Sequence, residues 1–216
     1  IEGCAGITHW DEAEKNHADW QEFREQMTRE AVAAIEGAQI AGATEILVKD
    51  AHSSGRNIIA SMLPADVRLI RAWQGHPLCM VQDLDETFDA VMMIGYHSAA
   101  GSEENSLAHT LSHDAAEIRI NGHRASEYLI HALASSKLGV PTVFVSGDKG
   151  LMTEIEQVNP HVGRCAVKEG RGQSTISMTP AAATKAIREG AAAALRGNLK
   201  ASLLEVPEHV IVEITY

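Results

Sequence analysis

Trp20, Phe23, Met27, Ala31, Ile35 and Ala38 recur at intervals of three and four, which places them on one face of a helix, with Gly42 as its stop. The pattern then shortens. Ile46, Leu47 and Val48 form a buried-type strand that runs into the polar loop KDAHSSG, and Asp66–Ala72 is a second strand. LDETF predicts a short helix before the apolar run Ala90–Ile94. HDAAEIRINGHRAS reads as a strand with Asn121-Gly122 in a turn, followed by a helix from Arg124 to Leu138 that Gly139 ends. PTVFVSGDKG is a buried strand with a loop after it, and GRCAVKE is a short strand. Thr179-Pro180 pairs an N-cap with proline at the first helical position and opens an Ala-rich helix to about Arg196. His209–Ile214 is the last strand. Short β-branched runs alternating with longer helices predict one α/β domain over residues 1–216, with a mostly parallel central sheet flanked by helices.

Composition narrows the function. Among 216 residues, Lys plus Arg number 18 and Asp plus Glu 29, a net charge of −11. That balance argues against a general nucleic-acid binder, which needs clustered cations for phosphate. No apolar run approaches the roughly 20 residues of a membrane helix. Cys4, Cys79 and Cys165 are odd in number and form no CxxC, so neither a disulfide framework nor a thiolate zinc knuckle is expected. A reducing, cytoplasmic setting fits them. Histidine is over-represented, with 11 copies.

Ligands in open α/β sheets bind beyond the carboxyl ends of the strands. The polar residues that follow apolar runs are Asp50 and His52 in ILVKDAH, His97 in VMMIGYH and Asp148 in VFVSGD, and Glu2 joins them if IEG ends a strand. Imidazoles and carboxylates from distant segments thus collect on one rim, and these are the ligand types of a catalytic zinc or two-metal site. Glu127 sits in the first turn of a helix, where a carboxylate also suits the dipole, and His131 lies four residues on along the same face. Asp148 is a turn former or a hydrogen-bond partner for a ligating histidine. His109 and His113 share the loop ENSLAHTLSH, and spacing does not choose between them as acid, base or oxyanion donor. Cys4 reads as a buried inert thiol, and the GRG at Gly170–Gly172 as a flexible loop rather than a phosphate cradle. There is no G-x-S-x-G elbow, P-loop or H-E-x-x-H.

Together, IEG at the start, KDAHSSGRN around His52, GYHSAAG around His97, LAHT at His109 and INGHRASE ending at Glu127 resemble the DppA-type D-aminopeptidases, a family of zinc peptidases. The resemblance extends from Ile1 to about Ile214. It implies two zinc ions per subunit with Glu2, His52, His97 and Glu127 as ligands, and His109 as a catalytic residue. It implies release of D-configured N-terminal residues from short peptides, and a homo-decameric ring with the sites facing an inner cavity. The family signature Asp-x-Glu-Gly implies a bridging aspartate immediately before Ile1, so the sequence reads as trimmed of most of a first strand, and of a further stretch after Tyr216. Two rivals are another metal-dependent amidohydrolase on the same scaffold and a ring-forming binding protein without catalysis.

Overall fold

The computed structural model describes residues 1–216. The helices are α1 (Trp20–Ile40), α2 (Glu127–Lys137), α3 (Lys149–Val158) and α4 (Pro180–Leu195). The strands are β1 (Ile46–Lys49), β2 (Val67–Ile70), β3 (Val91–Tyr96), β4 (Glu117–Ile120), β5 (His123–Arg124), β6 (Thr142–Asp148), β7 (Gly163–Arg171), β8 (Ser174–Ser177) and β9 (Val212–Thr215). The central sheet has the order β3-β6-β7-β8, with β3, β6 and β7 parallel and β8 antiparallel at the edge. A separate parallel pair, β1-β2, and an antiparallel sheet, β5-β4-β9, flank it.

Buried on every residue, β6 is the core strand. One side packs against α2 and α3 through Tyr128, Leu151 and Ile155, and the other against α1 and α4 through Phe144, Ala183 and Ile187. The Ala-rich composition of α4 has a steric reason. A Cβ on Gly37 of α1 would stand 2.4 Å from the Arg188 carbonyl, so only small residues let these helices approach this closely. Thr179 caps α4 through Ala182 N, with Pro180 at the first helical position as the sequence predicts. Asn121 (φ 50°) and Gly122 (φ 81°) form the two-residue turn between β4 and β5.

Several local expectations are corrected. The segment after β6 is the helix α3, not a loop. Asp148 is its N-cap, accepting from Leu151 N at 2.9 Å, and Leu151, Met152 and Ile155 supply the buried face. The GRG segment is neither loop nor cradle but the tip of the β7–β8 hairpin, with Gly172 at φ 61°. LDETF is no helix, because the Asp85 carboxylate takes Thr87 N at 2.9 Å in a local turn. The helix expected from Arg124 starts at Glu127, after the short strand β5.

β1 pairs only with β2, and β3 only with β6. The two strands share one cleft with Ala34, Ile35 and Ala38 of α1, and Ile1 and Glu2 line it as well.

Candidate metal centre

His97 directly follows β3, His52 lies three residues beyond β1, and Glu127 opens α2. Glu2 is brought to the same rim by a backbone crossing, in which Gly3 N donates to Gly95 O at 3.1 Å. Two glycines permit it. A Cβ on Gly3 would lie 1.7 Å from the Tyr96 carbonyl oxygen, and Gly95 has φ 72° and would press a Cβ onto Cys4 Sγ at 2.7 Å. The glycines of Glu-Gly and Gly-Tyr-His are therefore one steric requirement seen from the two segments that cross.

The five expected site residues line one cleft, as a pair and a trio. His52 Nε2 and Glu2 Oε1 are 2.7 Å apart. His97 Nε2 stands 3.5 Å and His109 Nε2 3.6 Å from opposite oxygens of Glu127. The two imidazoles are stacked, with centroids 4.3 Å apart. His97, His109 and Glu127 offer ligand atoms within 4.8 Å of one another. The loop carrying His109 folds back onto the strand ends.

The tautomers are set by backbone. His97 Nδ1–H donates to Ser98 O at 3.0 Å and His109 Nδ1–H to Leu107 O at 2.9 Å. Each Nε2 is left facing the site. A neutral imidazole then turns a lone pair toward a carboxylate, an arrangement that needs a proton or a cation between them. Two ligand atoms about 2.0–2.2 Å from a tetrahedral zinc lie about 3.4 Å apart. The spacings at Glu127 match that separation and exceed an ordinary N–H···O bond. On donor type and spacing, these residues fit zinc.

The electrostatics point the same way. Burial pushes the His97 pKa down, but Glu127 overrides it and raises the value to about 9. Burial raises the Glu127 carboxyl, yet His97 and then His109 bring it to about 2. Burial, with the charge of His97 beside it, lowers the His109 pKa and keeps that ring neutral. The Glu2 carboxyl, which burial alone would raise, is held well below its usual range chiefly by His52.

The remaining candidates have structural duties. Asp50 takes Asn57 N at 2.5 Å and Ile58 N at 2.7 Å, folding the loop that carries His52. Asp148 takes Ser98 N at 2.7 Å, anchoring the residue after His97 rather than its ring. His131 is buried, with Nδ1–H on the Glu127 carbonyl at 2.6 Å and Nε2 accepting from Met80 N at 3.4 Å. Cys4 is buried with its thiol pushed well up, first by burial and then by Glu30. His113 is exposed and lies edge-on to His109 at 4.8 Å.

Sequence reasoning missed Asn105 and Lys168. Asn105 donates to the Glu2 carbonyl at 3.2 Å and to Asp148 at 2.9 Å, tying the Glu2 segment to the end of β6. Lys168 donates to Ile7 O at 2.9 Å and to Asn105 Oδ1 at 3.4 Å, and burial lowers its pKa to about 8. Neither stands in a spacing that marks it, and no local signal would have found them.

A sequence model of the D-aminopeptidase family, peptidase family M55, matches residues 1–216, and the chain belongs to this family. It is 29% identical over 217 residues to the D-aminopeptidase of Bacillus subtilis (strain 168), covering 100% of this chain and 78% of that protein. Its fold is similar to that of the Zn-dependent D-aminopeptidase DppA from Bacillus subtilis, described as a self-compartmentalizing protease. The TM-score is 0.93 at 28% identity, over 99% of this chain and 78% of the other.

Proposed function

We propose that this chain is a zinc-dependent aminopeptidase that releases D-configured N-terminal residues from short peptides. The observation that carries the reading is the convergence of Glu2, His52, His97, His109 and Glu127 at the carboxyl ends of the strands. Glu2 and His52 would hold one zinc and His97 and Glu127 a second.

When bound, zinc supplies Lewis acidity and lowers the pKa of water to about 7. The chain's own residues do the rest. His109 is kept neutral with Nδ1–H on Leu107 O, so its Nε2 accepts a proton as water attacks and returns it to the departing amine. The acidic rim suits the ammonium of a peptide N-terminus. His109→Ala should keep its zinc and its fold but lose about 10²–10⁴-fold in kcat. Its 3.6 Å approach to Glu127 favours one other role, that of a third ligand beside His97. Metal analysis of the same variant decides, since a ligand's loss would strip zinc.

The assembly we propose is a homo-decameric ring, supported by the self-compartmentalizing relative and by exposed apolar surface such as Trp73, 38% exposed, and the strand β9. Light scattering should give a mass near ten subunits. Three free cysteines suit the cytoplasm, and no helix is long and apolar enough to cross a membrane.

A further inference from the structure

We infer that Trp10 is a positioning residue for His109. It forms the outer wall that keeps this imidazole aligned, and the inference rests on the reading that His109 carries the proton. The indole is in edge contact with His109, centroids 5.4 Å apart, and packs 4.4 Å from His113, which itself meets His109 edge-on at 4.8 Å. On the far side His109 stacks on His97. The imidazole is thus enclosed by rings on two sides, with its one hydrogen bond, to Leu107 O, made in between.

The segment that carries Trp10 is built to stay in place. Trp10 opens a 3-10 turn, Trp10–Glu12, closed by a reciprocal cap. Asp11 N donates to His9 Nδ1 at 3.3 Å, and Glu12 Oε2 accepts from Thr8 N at 2.6 Å and His9 N at 2.9 Å. Ser106 Oγ donates to Thr8 O at 2.7 Å, pinning this turn to the loop that carries His109. The body of the indole packs into the apolar cluster of Ile7, Trp20 and Leu107, while its ring lines the same cavity as the five site residues. It therefore has a rigid base and a ring held in edge contact with His109. A hydrogen bond at Nδ1 fixes the tautomer of an imidazole but leaves it free to tilt about that bond. The flanking rings remove the tilt. Trp10 has no polar contact with His97, Glu127, Glu2 or His52, so its effect reaches the reaction only through the placement of His109.

A double-mutant cycle tests this. Trp10→Ala should lower kcat by about 10–100-fold, the cost of a roughly 1 Å misplacement of a reacting group. KM and zinc content should stay close to the parent values. Trp10→Phe, which restores a ring edge, should recover most of the loss, whereas Trp10→Leu, which restores apolar volume without an edge, should not. The double variant Trp10→Ala/His109→Ala should be no slower than His109→Ala alone, because a residue that acts through another adds nothing once that other is gone. In zinc-free protein, acylation of His109 by diethyl pyrocarbonate, mapped by peptide mass spectrometry, should be faster in Trp10→Ala than in the parent. Unchanged kcat in Trp10→Ala, full rescue by Leu, or additive losses in the double variant would each overturn the inference and leave the role of His109 intact. Full turnover in His109→Ala would instead overturn the reading beneath it.

Discussion

The two halves of the site use the same residue types and solve opposite problems. Glu2 and His52 touch at 2.7 Å, a closed hydrogen bond that needs nothing further. His97, His109 and Glu127 stand 3.5 and 3.6 Å apart, with both imidazoles pinned at Nδ1 by backbone carbonyls. His52 lacks such a pin, for its buried Nδ1 has no hydrogen-bond partner. One half is therefore preorganised to receive a cation, while the other must give up an internal bond and reorient to do so. Preorganised ligands bind more tightly because less is spent on ordering them.

Ligand removal gives the largest expected effect. His97→Ala and His52→Ala should each lose turnover by more than the His109 variant's loss, together with about one zinc per chain. On titration of the parent with a chelator, zinc should leave in two phases, and the slow phase should be the one missing from His97→Ala. Metal analysis along the titration checks it. A single phase, or loss of the slow phase in His52→Ala, would reverse the ranking of the halves.

A second, smaller effect concerns pH in the zinc-free protein. Glu127 has a folded pKa depressed from 4.5 to about 2, so its stabilisation is present above 4.5 and lost as pH falls through 2. His97 has a folded pKa raised from 6.5 to about 9, so its stabilisation is full below 6.5 and lost as pH rises through 9. Thermal melts should therefore show a plateau between about pH 4.5 and 6.5, with Tm falling on both sides. Zinc should abolish the alkaline fall, because it binds the neutral imidazole and supplies the charge that the proton gave. Persistence of that fall in zinc-saturated protein would mean that the metal does not contact His97.

The smallest expected effect lies between the halves. Asn105 joins the Glu2 carbonyl to Asp148, and Asp148 holds Ser98 beside His97. Asn105→Ala leaves buried partners unsatisfied and should cost about 1–3 kcal/mol of stability by denaturant titration. The fast chelator phase should speed up more than the slow one, since it is the Glu2 side that loses its tie.

The sequence by itself determined most of the elements and named the residues proposed for the site. Periodicity located α1, the caps located α4, and the polar residues after apolar runs named His52 and His97, because strand ends and helix starts are written in local spacing. The resemblance added Glu127 and His109, whose local patterns had left other readings open. Tertiary structure alone decided the rest. Asp148 and the residues after it read as a turn because one carboxylate serves a turn and a helix cap equally well, and only the packing of Leu151 and Ile155 chooses the helix. His109 lies twelve positions beyond His97, and chain separation carries no information about a fold-back closed by Thr110, Asn105 and Ser106. Asn105, Lys168 and Trp10 act through partners dozens of residues away. Such contacts arise from the three-dimensional path of the backbone, which no short-range pattern encodes.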